Sequence, residues 1–429
     1  MEPENLLKSK KVFFKRFWWM FVLAPILLLL TAFGAFTFLG KINGPDTGVV
    51  DSNSQNADKT SKQGDSEAVK QGKMLSNGNC TGEDKPKLTT LPMKYDDFKM
   101  IIPYGLVIGG HVTPIDHQYF SPTVFQSPRD KYEVYAMADS KLVDIGERIN
   151  DRGTEYRLVF SLSCKLFYYY DLVTSLTLEL KKAYEDNKID KQKSAINIPV
   201  KAGGLIGRIG GQTLDFAVWD TDIRLIGFVI PEHYAGEIWK IHTADPLNYY
   251  TTELKAQAVS KYIRTAEPIS GKIDYDIDGK LVGNWFQEGT GGYTPAGTRG
   301  GEGYWKGHLS IAYDHYDPTS IVISMGEYAG KEAQFAVNGN TPDPVTVDVA
   351  KGLVKYELIL RDWADPKTGK MWDRDSLVKG IVAKNHENQV EGTVFVQMLE
   401  NRKIKFEAFP GKKASQVTAF TTNAKIFER

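Results

Sequence analysis

Three side chains able to bind a metal or carry a proton, His111, Asp116 and His117, fall within residues 109–117. Imidazole and carboxylate are both zinc ligands, but a metal needs at least three protein groups converging in space, so distant residues must complete any such site. Pro114 fixes its own φ and holds Thr113 extended, so the stretch reads as a loop leading into Gln118-Tyr119-Phe120. If the loop enters that run extended, neighbouring side chains alternate, and His117 is expected to point away from any ion held by Asp116. The competing reading is that all three hydrogen-bond to backbone and hold an irregular loop.

The chain of 429 residues carries 53 Lys+Arg against 53 Asp+Glu and is 42% hydrophobic. That suits two or three globular domains with real cores, and the balanced charge argues against a nucleic-acid partner. Cys80 and Cys164 are the only cysteines. They are too few for a disulfide scaffold and lack C-x-x-C spacing; either they form one bridge that pins the amino-terminal side to a β domain, or both are free thiols.

Residues 1–16 hold Lys8, Lys10, Lys11, Lys15 and Arg16, and residues 17–40 hold no charge at all. At helical rise the uncharged run covers about 36 Å, which predicts one transmembrane helix over 17–40. Its basic flank predicts a cytoplasmic start at 1–16, the lipid bilayer as a partner, and an extracytoplasmic remainder. Residues 41–94, poor in large apolar side chains, read as a flexible linker.

Residues 95–243 read as a β domain of short apolar runs such as Tyr156-Arg157-Leu158-Val159-Phe160, separated by turn residues. The glycine-rich 202–211 lacks the Lys-Ser/Thr of a phosphate loop and reads as turns. Residues 244–268 read as a helical connector, with Leu254, Ala258, Val259 and Tyr262 on one face. Alternating runs over 269–429 predict an antiparallel β-barrel or sandwich. Within it, Asp274, Asp276 and Asp278 are expected to line a solvated face. Tyr293, Tyr304 and Trp305, around the glycine-rich 288–303, are candidates for stacking a ligand such as a sugar.

Three segments carry a resemblance: Tyr135-Ala136-Met137-Ala138-Asp139-Ser140-Lys141-Leu142-Val143, Val200-Lys201-Ala202-Gly203-Gly204-Leu205-Ile206-Gly207-Arg208-Ile209-Gly210, and Leu214-Asp215-Phe216-Ala217-Val218. They are similar to the A-x-A-D-G-x-V, V-x-A-G-x-x-I-G-x-x-G and following strand of the lysostaphin-like (M23, LytM, duplicated hybrid motif) peptidase domain, over roughly residues 105–222. The resemblance implies an antiparallel β-sheet fold that cuts cell-wall peptide cross-links with one zinc ion. The family's ligands come from H-x-x-x-D and H-x-H motifs, with further histidines assisting. Here four residues separate His111 from Asp116, Thr213 and Asp215 stand at H-x-H, and Asp171 replaces an assisting histidine. The implied metal set is therefore His111, Asp116 and Asp215, for zinc or another divalent metal, with His117 and Asp171 as catalytic candidates.

Carboxylates near their ordinary pKa are poor proton donors to a leaving amine, so the expectation is a degenerate, noncatalytic domain. Gly283-Asn284-Trp285 is similar to the G-x-W of lipocalin-like (calycin) barrels. Together these readings describe a membrane-anchored, extracytoplasmic cell-envelope protein that binds or scaffolds a cell-wall peptide or glycan. The alternatives are a zinc metallohydrolase with an altered ligand set, and a carrier of a small apolar ligand in the carboxy-terminal barrel.

Overall fold

The computed structural model describes residues 65–187, 193–294 and 303–429. The expected basic segment and membrane span, and the linker as far as residue 64, lie outside the described residues. Among those described, no helix is long and apolar enough to cross a membrane.

Residues 65–94 do not continue a linker. Helix α1 (Glu67–Leu75) begins at Ser66, whose hydroxyl accepts the Val69 N–H. Gly72 lies against the backbone of Cys164, where an added Cβ would fall 1.7 Å from the carbonyl oxygen. Cys80 is disulfide-bonded to Cys164, so the two are not free thiols. Leu88 bridges to Tyr250, and Leu88 and Met93 are buried in the sheet domain's core. The polar composition concealed this because a few apolar anchors and one covalent bond are enough to offset the ordering entropy.

The sheet domain uses β1 (Phe98–Ile102), β2 (Gln118–Pro122), β3 (Tyr132–Tyr135), β4 (Ser140–Asn150), β5 (Gly153–Ser161), β6 (Leu166–Val173), β7 (Ser175–Leu176), β8 (Lys193–Val200), β9 (Leu205–Ile209), β10 (Leu214–Asp220) and β11 (Thr243–Ala244). The main antiparallel sheet runs β1-β2-β10-β6-β5-β4-β8, with β11 on β10, and a small sheet runs β3-β9-β7. The first two motif segments lie side by side: β3 pairs with β9, β4 with β8, and Ala136 and Gly204 share a backbone hydrogen bond between them. The glycines of that region do what their turn reading requires. Gly203 has φ +74°, and a Cβ on Gly207 would meet the Ser175 carbonyl oxygen at 2.1 Å. Helix α2 (Leu178–Asp186) follows β7.

The connector contains helix α3 (Thr252–Lys261), capped by the Thr251 hydroxyl. Leu254, Ala258 and Tyr262 are buried, so the face read from the sequence packs against the sheet.

The carboxy-terminal part is a closed barrel, which settles barrel against sandwich. Its strands are β12 (Gly283–Gln287), β13 (His308–Tyr313), β14 (Ile321–Tyr328), β15 (Lys331–Val337), β16 (Leu353–Ala364), β17 (Val382–Leu399), β18 (Lys403–Pro410) and β19 (Lys425–Glu428), each antiparallel to the next, with β19 returning to β12. Closure leaves no free edge. Trp285 is fully buried in the interior cluster; its indole N–H donates to the Leu281 carbonyl, and the Arg429 guanidinium lies 4.0 Å over its ring.

The aspartate series does not face solvent. Asp276 is buried, accepts the Asn284 N–H and pairs with Arg429; Asp274 accepts the Gly227 N–H; Asp278 makes a two-pronged pair with Arg402. Residues 271–282 are not a strand, so the period of two that suggested a shared wet face did not apply.

Trp285→Ala is expected to lower stability by about 3–5 kcal/mol, the usual cost of truncating a buried tryptophan. An unchanged melting temperature would contradict the packed barrel. Replacing both Cys80 and Cys164 by alanine frees a loop spanning a sequence separation of 84. The loss expected in denaturant unfolding is about 4–5 kcal/mol on chain-entropy grounds.

Candidate functional site

Residues 103–117 join β1 to β2 and cross the front of the sheet. Ile108 and His111 pair in a tight turn, and Gly109 is gripped from both sides by the Gln334 carboxamide, which donates to its carbonyl at 3.0 Å and accepts its N–H at 3.1 Å. Gly110 lies under Trp305, where a Cβ would meet the ring at 2.9 Å. The loop is therefore clamped between sheet and barrel.

This placement brings most of the sequence candidates together. His117 lies between two carboxylates, its Nδ1 3.7 Å from Asp116 Oδ1 and its Nε2 3.3 Å from Asp215 Oδ2. The expectation that His117 would turn away from Asp116 fails because residues 116 and 117 form a bend and the strand begins only at Gln118. The His111 ring is 6.2 Å from that of His117. Asp171 faces Asp215 across the β6–β10 ladder but is committed to a two-pronged pair with Arg148. The Thr213 hydroxyl donates to Asp215.

The residue that sequence reading missed is Lys240. Its side chain, 2% exposed, comes from the irregular 3₁₀ segment Pro231–His242; Nζ is 3.8 Å from Asp116 Oδ1 and donates to the Pro114 carbonyl at 3.1 Å. Nζ also lies 4.8 Å above the Tyr293 ring. The available signal was a lysine between Trp239 and Ile241, since a cation in an apolar run must find a partner when the run is buried.

Tyr293, Tyr304 and Trp305 do not form an open platform. Tyr293 stacks between Tyr234 and His308, Trp305 is buried, and Tyr304 packs edge-on against Tyr293, Trp305 and His308. These rings cover the site. The open concavities lie elsewhere on the sheet domain, the larger a cleft of about 440 Å³ lined by Thr90, Met93, Tyr95, Tyr135 and Leu254 among others.

Charge in this closed space is matched internally. Burial would raise the Asp116 pKa, but the Lys240 ammonium and His117 outweigh it and hold the carboxyl below the usual range. Burial pushes Asp215 up to about 7, with Asp171 adding to it and His117 and Arg148 opposing. His117 is raised because Asp215 and Asp116 outweigh the burial that alone would lower it. Burial, then the positive charges of His117 and Lys240, lower His111 to about 4.

A proton can be shared along Asp116, His117 and Asp215. As a metal centre the set fits poorly: Asp116 already faces an ammonium and an imidazole, Asp171 is taken by Arg148, and among the described residues no three His, Cys, Asp or Glu side chains gather as metal ligands.

No family profile matches the chain, and no curated protein matches it. Among solved structures it is similar to Csd3 of Helicobacter pylori, at 18% identity over 39% of this chain and 36% of that one, with a TM-score of 0.23. It is also similar to lysostaphin, at 11% identity over 70% of this chain and 100% of that one, with a TM-score of 0.24. The chain spans about a third of the length of Csd3. Likenesses of this size carry no weight for function, which is argued below from this chain's own residues.

Asp116→Asn leaves the buried Lys240 without its counter-charge, and a loss of roughly 3–5 kcal/mol at neutral pH is expected. Because its folded pKa is depressed, Asp116 contributes fully above the ordinary value of about 4 and loses that contribution as pH falls toward the folded value. Denaturant unfolding followed downward from neutral pH is therefore expected to show a shallower acid slope in Asp116→Asn than in the wild type.

Proposed function

We propose that this protein is an exported, membrane-tethered component of a cell envelope, whose lysostaphin-like sheet domain does not hydrolyse and instead holds a cell-wall peptide or glycan. The observation that carries this reading is the closure of the peptidase-like centre. Lys240 lies against Asp116, His117 fills the gap to Asp215, and Tyr293 and Trp305 lie over them. Peptide-bond hydrolysis needs an activated water, room for a carbonyl, and a donor to the leaving amine. The proton-sharing line is present, but its groups are walled off by side chains of the same chain.

Anchoring is supported by the basic segment and the uncharged run over residues 17–40, and export by the Cys80–Cys164 bond, which persists in oxidising compartments. With the centre closed, the open cleft beside Tyr95 and Tyr135 is the place for a ligand. The barrel is read as a lipocalin-like scaffold: its closed meander and the buried Trp285 fit the G-x-W resemblance, while Leu309, Ile323, Tyr356, Val396 and Phe406 belong to one continuous interior cluster. That filling works against a ligand carrier.

The test is incubation of the full chain with purified peptidoglycan. Co-sedimentation without release of soluble fragments is expected. Fragment release abolished by a chelator and by Asp116→Asn would restore the metallohydrolase, and failure to co-sediment would remove the wall ligand.

A further inference from the structure

We propose that the Lys240 ammonium is a built-in replacement for a divalent cation, so that removing it converts the Asp116 centre into a site whose stability depends on an added metal ion. The inference rests on the noncatalytic reading and gives its physical basis.

Every described neighbour of Nζ attracts cations: the Pro114 carbonyl oxygen at 3.1 Å, the Asp116 carboxylate at 3.8 Å and the Tyr293 π face at 4.8 Å. Oxygen donors of this kind suit a small hard or borderline ion as well as an ammonium. Asp116 Oδ2 is buried and has no hydrogen-bond partner, so the carboxylate retains an unused donor atom facing the closed space. Asp215 and the two imidazoles lie within the same cluster. The ammonium is delivered by a fixed backbone: Trp239 stacks on Trp219, the Ile241 carbonyl accepts the Leu225 N–H, and His242 Nδ1 meets the Ile223 carbonyl at 2.6 Å. Both flanks of Lys240 are tied to the sheet, so its side chain is aimed into the centre. A metal in the wild-type chain would have to sit against that ammonium, and the two charges exclude each other.

Lys240→Met keeps the length of the side chain and removes its charge. In the full chain under chelator, Lys240→Met is expected to melt at least about 5 °C below the wild type, because Asp116 is left without the ammonium. Adding zinc or magnesium is expected to recover at least half of that shift, with one ion bound per chain by elemental analysis. The wild type is expected to bind neither ion and to show no shift. Lys240→Met combined with Asp116→Asn, which removes both charges, is expected to be indifferent to metal.

One ion per wild-type chain would overturn the inference. So would a Lys240→Met chain that neither ion stabilises, including one that does not fold with metal present while the double variant folds, or a double variant stabilised as much as the single one. The outcomes separate from those of the functional reading: hydrolysis by a metal-free wild type would sink that reading alone, and a metal-indifferent Lys240→Met would sink this inference alone.

Discussion

Removing a carboxylate from water costs several kcal/mol unless a counter-charge accompanies it, and around Asp116 that requirement determines what surrounds it. The loop carrying Asp116 lies between a sheet and a barrel, with little solvent to screen the charge. Lys240 and His117 provide the compensation, and each needs its own support. Lys240 requires the 3₁₀ segment to cross the front of the sheet; His117 requires Asp215 on the central strand β10; Asp215 lies opposite Asp171, which in turn requires Arg148 on β4. One buried charge thus connects the loop, three strands and the covering segment.

The join between the two parts follows the same rule. Arg264, buried in the connector, donates to the carbonyls of Ala266, Glu267 and Pro268 on its own segment and to that of His315 at the end of β13. Asp314 accepts the N–H groups of Tyr316 and Asp317 and the Trp363 indole N–H, and lies 3.4 Å from Arg361. With the Gln334 grip on Gly109, these bonds hold the barrel to the sheet at a fixed register. The active-site-like loop cannot open without disturbing the barrel.

How much of this could be read from the sequence depends on the range of the interaction that set each feature. Strand runs such as Leu214-Asp215-Phe216 and the helix face of Leu254, Ala258 and Tyr262 are local periodicities, and they survive into the structure. The pairing of motif segments 135–143 and 200–210 is also as their order suggested. Asp116, His117 and Asp215 converge, although the side on which His117 lies was misjudged, because a bend breaks the alternation that a strand would impose. Lys240 was invisible for a different reason: nothing near it in sequence states that it will meet a carboxylate on a loop so many residues earlier. The aromatic rings near residue 300 and the aspartates near residue 276 were read as exposed because composition reports polarity and not the partner, which here is the other domain or Arg429.

The bond between Cys80 and Cys164 also determines how a pull would travel through the molecule. Tension applied at the amino-terminal side and resisted at the barrel passes from Cys80 through the two sulfur atoms to Cys164, between β5 and β6, and continues along the chain from there. Residues 81–163, which include β1 to β5 and the loop with Asp116, hang from that line as a slack loop and bear none of the load. The strands that must withstand shear are β6 and those after it, so the covalent bond makes the front half of the sheet a mechanical bystander.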